Sequence, residues 1–177
     1  MKVKIMSRLE AIQHTYQREI APCIIISINS STRGEEDIEK PTFNKNTNII
    51  GIKYVSFDDV LPHQIKGTNY KAMSEKEAQE IIEFILSFKQ NIQMNIVQDI
   101  IIHCHAGISR SSAVASIVCR LLDIDDMWIW SDNYIPNRHV FETMNLFLRE
   151  RKYSSEEIEK RYITNEERKE LDFLINI

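Results

Sequence analysis

At 177 residues the chain is long enough for one domain with a full core and too short for two comfortable ones. Its composition, 43% apolar and 27% charged, is that of an ordinary soluble globular protein. A formal charge of −4 argues against a nucleic-acid binder, which carries a basic excess.

In chain order, Lys2 to Met6 alternates basic and apolar residues and predicts a short strand. Ser7 is placed to cap a helix from Arg8 to about Gln17. Cys23 to Ile28 follows Pro22 and is a β-branched apolar run, a buried strand. Ser30 to Thr47, rich in Ser, Thr, Asn and acids, is a surface loop. Asn48 to Phe57 is a third strand, ending in Asp58-Asp59, and Val60 to Met73 is a loop carrying Pro62, Gly67 and Asn69. Ser74 with Glu77 three residues on is a capping box, and Ala78, Ile81, Ile82, Ile85, Leu86 and Phe88 continue at core spacing.

Val97 to His103 is the next strand, wholly apolar at Ile100, Ile101 and Ile102. A tight loop with Gly107 leads into a helix from Ser109 to Leu122. Asp123 to Trp130 is short, acidic and aromatic, and Arg138 to Glu150 is again helical in spacing. Residues 151–177 are densely charged and predict one or two amphipathic helices on the domain edge; a partner-binding tail is the alternative. Strands alternating with helices, two of them fully apolar, predict an α/β fold with a mainly parallel central sheet flanked by helices.

Three cysteines, Cys23, Cys104 and Cys119, make no disulfide framework, and no Cys/His cluster points to zinc or another metal. Cys23 begins a strand near Cys104, which makes it a candidate partner for a protective disulfide under oxidation. The N-terminus lacks the apolar core of a signal peptide, and no run approaches membrane-spanning length. The expectation is a cytoplasmic monomer, in host cytoplasm if the chain is viral, without membrane or nucleic-acid partners.

The chemistry concentrates between the apolar strand and the helix after it, at His103-Cys104-His105-Ala106-Gly107-Ile108-Ser109-Arg110-Ser111-Ser112. A loop wrapped onto a helix N-terminus aims backbone N–H groups into one concavity, and the helix dipole adds positive charge there. Arg110 adds a guanidinium fork suited to phosphate oxygens. Cys104 sits at the base, where the same field favours thiolate over thiol. A thiolate facing a bound phosphate is a nucleophile aimed at phosphorus.

This stretch resembles the signature loop of the cysteine-dependent protein tyrosine and dual-specificity phosphatases, His-Cys-x-x-Gly-x-Ser/Thr-Arg-Ser/Thr. The resemblance implies the fold of that family, with Cys104 as nucleophile, Arg110 as phosphate-binding arginine and Ser111 as the hydroxyl assisting breakdown of a phosphocysteine. It makes His105, Ala106, Gly107, Ile108, Ser109 and Arg110 the substrate-binding loop, with His103 in a supporting role. The family's general acid is an Asp on a loop after a strand preceding the signature; Asp59 is the choice here and Asp58 the alternative. The gap from Asp59 to Cys104 is longer than compact members show, and the family's Trp-Pro-Asp tryptophan is absent.

The implied activity is metal-independent and cofactor-free hydrolysis of phosphomonoesters on a phosphorylated protein: phosphotyrosine, with phosphoserine and phosphothreonine as further candidates. Phosphoinositides, inositol phosphates and RNA 5′-phosphates are alternatives within the chemistry; a non-catalytic phosphate-binding module is the alternative outside it. His105, Ala106 and Ile108 lack the lysines of lipid-directed relatives, which leans against a highly charged substrate. A rhodanese-type sulfurtransferase would leave the Ser-Arg-Ser run and the acid without purpose.

Overall fold

Strands apolar at every position, with no alternation, need cover on both faces. The computed structural model, which describes residues 1–31, 39–131 and 134–163, supplies it. Four strands, β1 (Lys2–Ser7), β2 (Cys23–Asn29), β3 (Ile49–Ser56) and β4 (Asp99–Cys104), form one sheet in the order β1-β4-β2-β3. Every strand pair is parallel. The helices are α1 (Arg8–Thr15), α2 (Glu75–Ser87), α3 (Lys89–Gln93), α4 (Arg110–Leu121), α5 (Met127–Ser131), α6 (Arg138–Asn145) and α7 (residues 155–163). The expected α/β class with a parallel sheet flanked by helices is what forms. No helix among the described residues is long and apolar enough to cross a membrane.

The two central strands divide their isoleucines between the faces. Ile24, Ile26, Ile100 and Ile102 join the main core with Ile81, Ile85, Val114, Ile117 and Phe141 from α2, α4 and α6. Ile25 and Ile101 turn to the other face, where Ala11 of α1 and Phe43 cover them. Each of these six strand isoleucines is fully buried, and each contributes about 1.5–3 kcal/mol relative to exposure.

Local signals mostly act where the sequence puts them. Ser7 and Glu10 form a reciprocal capping box: Glu10 N–H donates to Ser7 Oγ (3.2 Å) and Ser7 N–H to the Glu10 carboxylate (2.7 Å). Because Ser7 is also the last residue of β1, the strand passes into α1 with no loop between them. Ser74 donates its N–H to Glu77 (3.0 Å) at the start of α2.

Among the differences from expectation are two in the helices. A short helix, α3, follows α2 before β4, and α6 stops at Asn145 instead of Glu150. The reason for the second is long-range. Asn145 accepts from Tyr153 N–H (2.8 Å) and donates to Tyr153 O (3.0 Å), drawing the chain back through a 3-10 turn at Arg149–Arg151.

The charged C-terminal stretch packs as an amphipathic helix as far as residue 163, with Ile158 and Tyr162 against the main core; the rest of the 151–177 expectation lies outside the described residues. A buried carboxylate fastens this edge. Asp126 accepts from Trp130 Nε1 (3.0 Å), Tyr153 Oη (3.0 Å), Arg161 (3.1 Å) and the Ser116 hydroxyl.

Burial alone would raise the Asp126 carboxyl, but the Ser116 bond, the Arg161 charge and the Trp130 bond outweigh it and hold it below its ordinary range. A depressed folded-state value stabilises the fold above the unfolded value, near about 4, and that contribution disappears as pH falls through the folded value. Urea unfolding followed from neutral to acid pH is therefore expected to lose less stability in Asp126→Asn than in the unaltered chain. Equal acid sensitivity would contradict this.

Candidate active site

β4 ends at Cys104 and α4 begins at Arg110, so residues 105–109 form the turn between them at the carboxyl end of a central strand. Ligand sites in open parallel sheets lie at that end. Gly107 has φ +74°, and a Cβ there would stand 2.5 Å from Ser7 N and 2.6 Å from Met6 C. Both the conformation and the space therefore demand glycine.

The carbonyls of the turn are engaged by its surroundings. His105 O accepts from Arg8 N–H (3.0 Å), Ile108 O from Ile135 N–H (3.1 Å), and Ser109 O from Asn137 N–H (3.2 Å). The Ser112 hydroxyl also donates to Ser109 O (2.9 Å). Across a trans peptide the N–H points opposite to the C=O, and no peptide bond here is cis. The N–H groups of Ala106 and Ser109 therefore face away from Arg8 and Ile135. Among the described residues, no hydrogen bond uses the N–H of Ala106, Gly107, Ile108 or Ser109.

His103 is fully buried. Its Nδ1 lies 3.3 Å from Cys104 O and its Nε2 2.9 Å from Ser27 Oγ. A carbonyl only accepts, so Nδ1 carries the proton in that bond, and in the neutral ring Nε2 accepts from the serine. The Phe43 ring meets the imidazole edge-on at 5.7 Å. His103 thus fixes the end of β4. Cys104 Sγ lies 3.2 Å from Ser111 Oγ, and both residues are buried.

A cavity of about 310 Å³ opens beside this turn, and Arg110, Asp59, Ser30, Val60 and Tyr70 are on its wall. Arg110 Nη1 donates to Phe57 O (3.0 Å) and Ser30 Oγ (3.3 Å), which holds the guanidinium in place. Cys104 is not on that wall; its side chain counts with the main core. His105, Ala106 and Ile108 are exposed, whereas Gly107 is buried.

The neighbouring carboxylates Asp58 and Asp59 do different things. Asp58 is 3% exposed and accepts from Ser31 N–H (2.9 Å), Ser31 Oγ (2.5 Å) and Lys71 N–H (2.7 Å), while its own N–H donates to Lys71 O (2.7 Å). It joins the chain after β2 to both ends of the loop after β3. Asp59 is exposed and accepts at a single oxygen, Oδ1, from Ser109 Oγ (2.8 Å) and Asn137 Nδ2 (2.7 Å).

The disulfide expectation for Cys23 and Cys104 is wrong on geometry. Cys23 is in register with Asp99, at the opposite end of β4 from Cys104; the five intervening steps span about 16 Å, against the roughly 4.4–6.8 Å between bridged Cα atoms. Burial pushes the Cys23 thiol up to about 11 and the Cys119 thiol up to about 12.

The sequence alone assigns no role to Asn137, Ser30 or Tyr70. Pro136-Asn137 before an amphipathic run is a readable helix-start signal, and Asn137 does cap α6 by accepting from Val140 N–H (3.0 Å). Its bond to Asp59 joins distant segments and leaves no local trace. Asn133 lies outside the described residues. No protein-family model matches this sequence, and no curated protein is detectably similar to it.

Gly107→Ala is expected to destabilise the protein by at least about 1–3 kcal/mol, the cost of the left-handed conformation alone. An unchanged midpoint in thermal unfolding would contradict the packing described. Asp58→Ala, which strands the Ser31 and Lys71 N–H groups, is expected to cost about 1–3 kcal/mol, whereas exposed Asp59→Ala should stay within about 0.5 kcal/mol. Reversal of that order in urea titrations would show that their roles have been exchanged.

Proposed function

We propose that this chain is a cysteine-dependent phosphatase of the protein tyrosine and dual-specificity phosphatase type, hydrolysing phosphomonoesters of phosphorylated proteins through a phosphocysteine. The observation that carries the proposal is convergence. Arg110 and Asp59, distant in sequence, share one cavity beside the 105–109 turn that directly follows Cys104, and Asp59 is bonded to Ser109 of that turn.

The outward carbonyls of residues 105, 108 and 109 support an anion-binding role for the turn, because they leave its N–H groups for phosphate oxygens. Arg110, pre-set by Phe57 O and Ser30, adds charge-assisted bonds to the same oxygens. In the first step the Cys104 sulfur donates an electron pair to phosphorus, the P–O ester bond breaks, and the leaving oxygen takes a proton from Asp59. In the second, water attacks phosphorus and gives its proton to the Asp59 carboxylate, and sulfur leaves as thiolate. The Ser111 hydroxyl, 3.2 Å from Sγ, can donate to that departing sulfur. All of these groups are supplied by the chain's own side chains and backbone.

The cavity also bears on substrate. Among its described lining residues Arg110 is the one cation, with two carboxylates, Val60 and Tyr70 beside it. One cation suits a single phosphate on an otherwise uncharged aromatic body better than a polyphosphorylated headgroup, which favours phosphotyrosine over phosphoinositides.

Cys104→Ser is expected to abolish release of phosphate from 4-nitrophenyl phosphate in the presence of EDTA while leaving the unfolding midpoint in place; retained turnover would overturn the proposal. On a panel of phosphopeptides and inositol phosphates, phosphotyrosine peptides should give the highest kcat/KM. A preference for the polyphosphates would contradict the substrate assignment but not the chemistry.

A further inference from the structure

A general acid needs its transferable proton on a known oxygen aimed at the leaving group. Asp59 is exposed, on a loop, and by itself free to turn. Two side chains restrain it, and both act on Oδ1: Ser109 Oγ at 2.8 Å and Asn137 Nδ2 at 2.7 Å.

Asn137 is the more firmly held of the two. It is 8% exposed, its Oδ1 accepts from Val140 N–H (3.0 Å) at the start of α6, and its own N–H donates to Ser109 O (3.2 Å). The Val140 bond fixes which way the amide faces, because a backbone N–H needs an oxygen; the NH₂ is then the end presented to Asp59. An NH₂ only donates, so Asp59 Oδ1 must accept, and with Ser109 also donating there the carboxyl proton belongs on Oδ2.

We infer that Asn137 is a positioning residue for Asp59, holding Oδ1 against the 105–109 turn so that Oδ2 carries and delivers the proton. This rests on the proposed function. In the transfer, the S–P bond forms as the P–O ester bond breaks, the leaving oxygen takes the proton from Oδ2, and the resulting carboxylate keeps both donors at Oδ1. The helix cap alone does not require asparagine, since serine caps about as well; the amide NH₂ and its reach are what serine lacks.

The test is Asn137→Ser, which keeps the cap and removes the donor, assayed by kcat/KM on phenyl phosphate and 4-nitrophenyl phosphate. Phenoxide needs the acid; 4-nitrophenoxide leaves nearly without it. A loss of about tenfold on phenyl phosphate with under about twofold on 4-nitrophenyl phosphate supports the inference. So does the absence of any further loss when Asn137→Ser is added to Asp59→Ala. Equal losses on both substrates, no loss on either, or an additional loss in the Asp59→Ala background would overturn it. Should Asn137→Ser fold poorly, Asn137→Asp also retains the cap, and at neutral pH its carboxylate cannot donate to Asp59; the same outcomes apply. The single variants Cys104→Ser and Asp59→Ala separate the two levels. An active Cys104→Ser, or an Asp59→Ala equally impaired on both esters, removes the underlying function. With both controls as expected, the Asn137 variants alone decide the inference.

Discussion

No side chain fits between residue 107 and the main chain of Met6 and Ser7, and the site is built around that approach. It is possible because β1 runs into α1 without a loop, so a bare stretch of backbone lies beside the end of β4. With the turn seated there, Arg8 N–H takes His105 O, and the segment before α6 takes Ile108 O and Ser109 O. Each engaged carbonyl turns its peptide N–H the other way. The anion-binding role proposed for the turn thus depends as much on what surrounds it as on its own residues.

The second consequence concerns the pair Asp58-Asp59. Adjacent residues at a strand end face different surroundings: both line the cavity, but Asp58 is buried and bonded to Ser31 and Lys71, whereas Asp59 is exposed. Asp58 ties Ser31 and Lys71 together, which closes the loop after β3 on itself. Asp59 is then delivered to Ser109 and Asn137, and through them to the turn and to α6. Arg110 is braced by Phe57 O from the same strand end. Four segments far apart in sequence, around residues 31, 57–71, 109–110 and 137, meet within one polar network.

What was legible in the sequence follows the range of the interactions. The continuous isoleucines of β2 and β4 announced strands buried on both faces, and the Ser7 cap and the Ser74-Glu77 box mark helix starts because those signals act within four residues. The spacing of Cys104, Gly107, Arg110 and Ser111 was equally local. The choice between Asp58 and Asp59 was not, because it turns on partners at residues 31, 71, 109 and 137. Asn145 ending α6 by bonding Tyr153, and Asn137 reaching Asp59, were invisible for the same reason. The Cys23 disulfide failed because chain order says that two strands are neighbours but not which ends lie together; the register does.

The central claim is that phosphate passes through the sulfur of Cys104, and the most direct measurement is to catch it there. An aryl phosphate would be mixed with the Asp59→Ala variant, which on the proposed mechanism lacks the base for the breakdown step, quenched in denaturant within milliseconds, digested and analysed by mass. A phosphoryl group on the Cys104 sulfur, absent when the substrate is omitted, is the expected result. Turnover with the phosphoryl group on another residue, or with no covalent intermediate on any residue, would contradict the account.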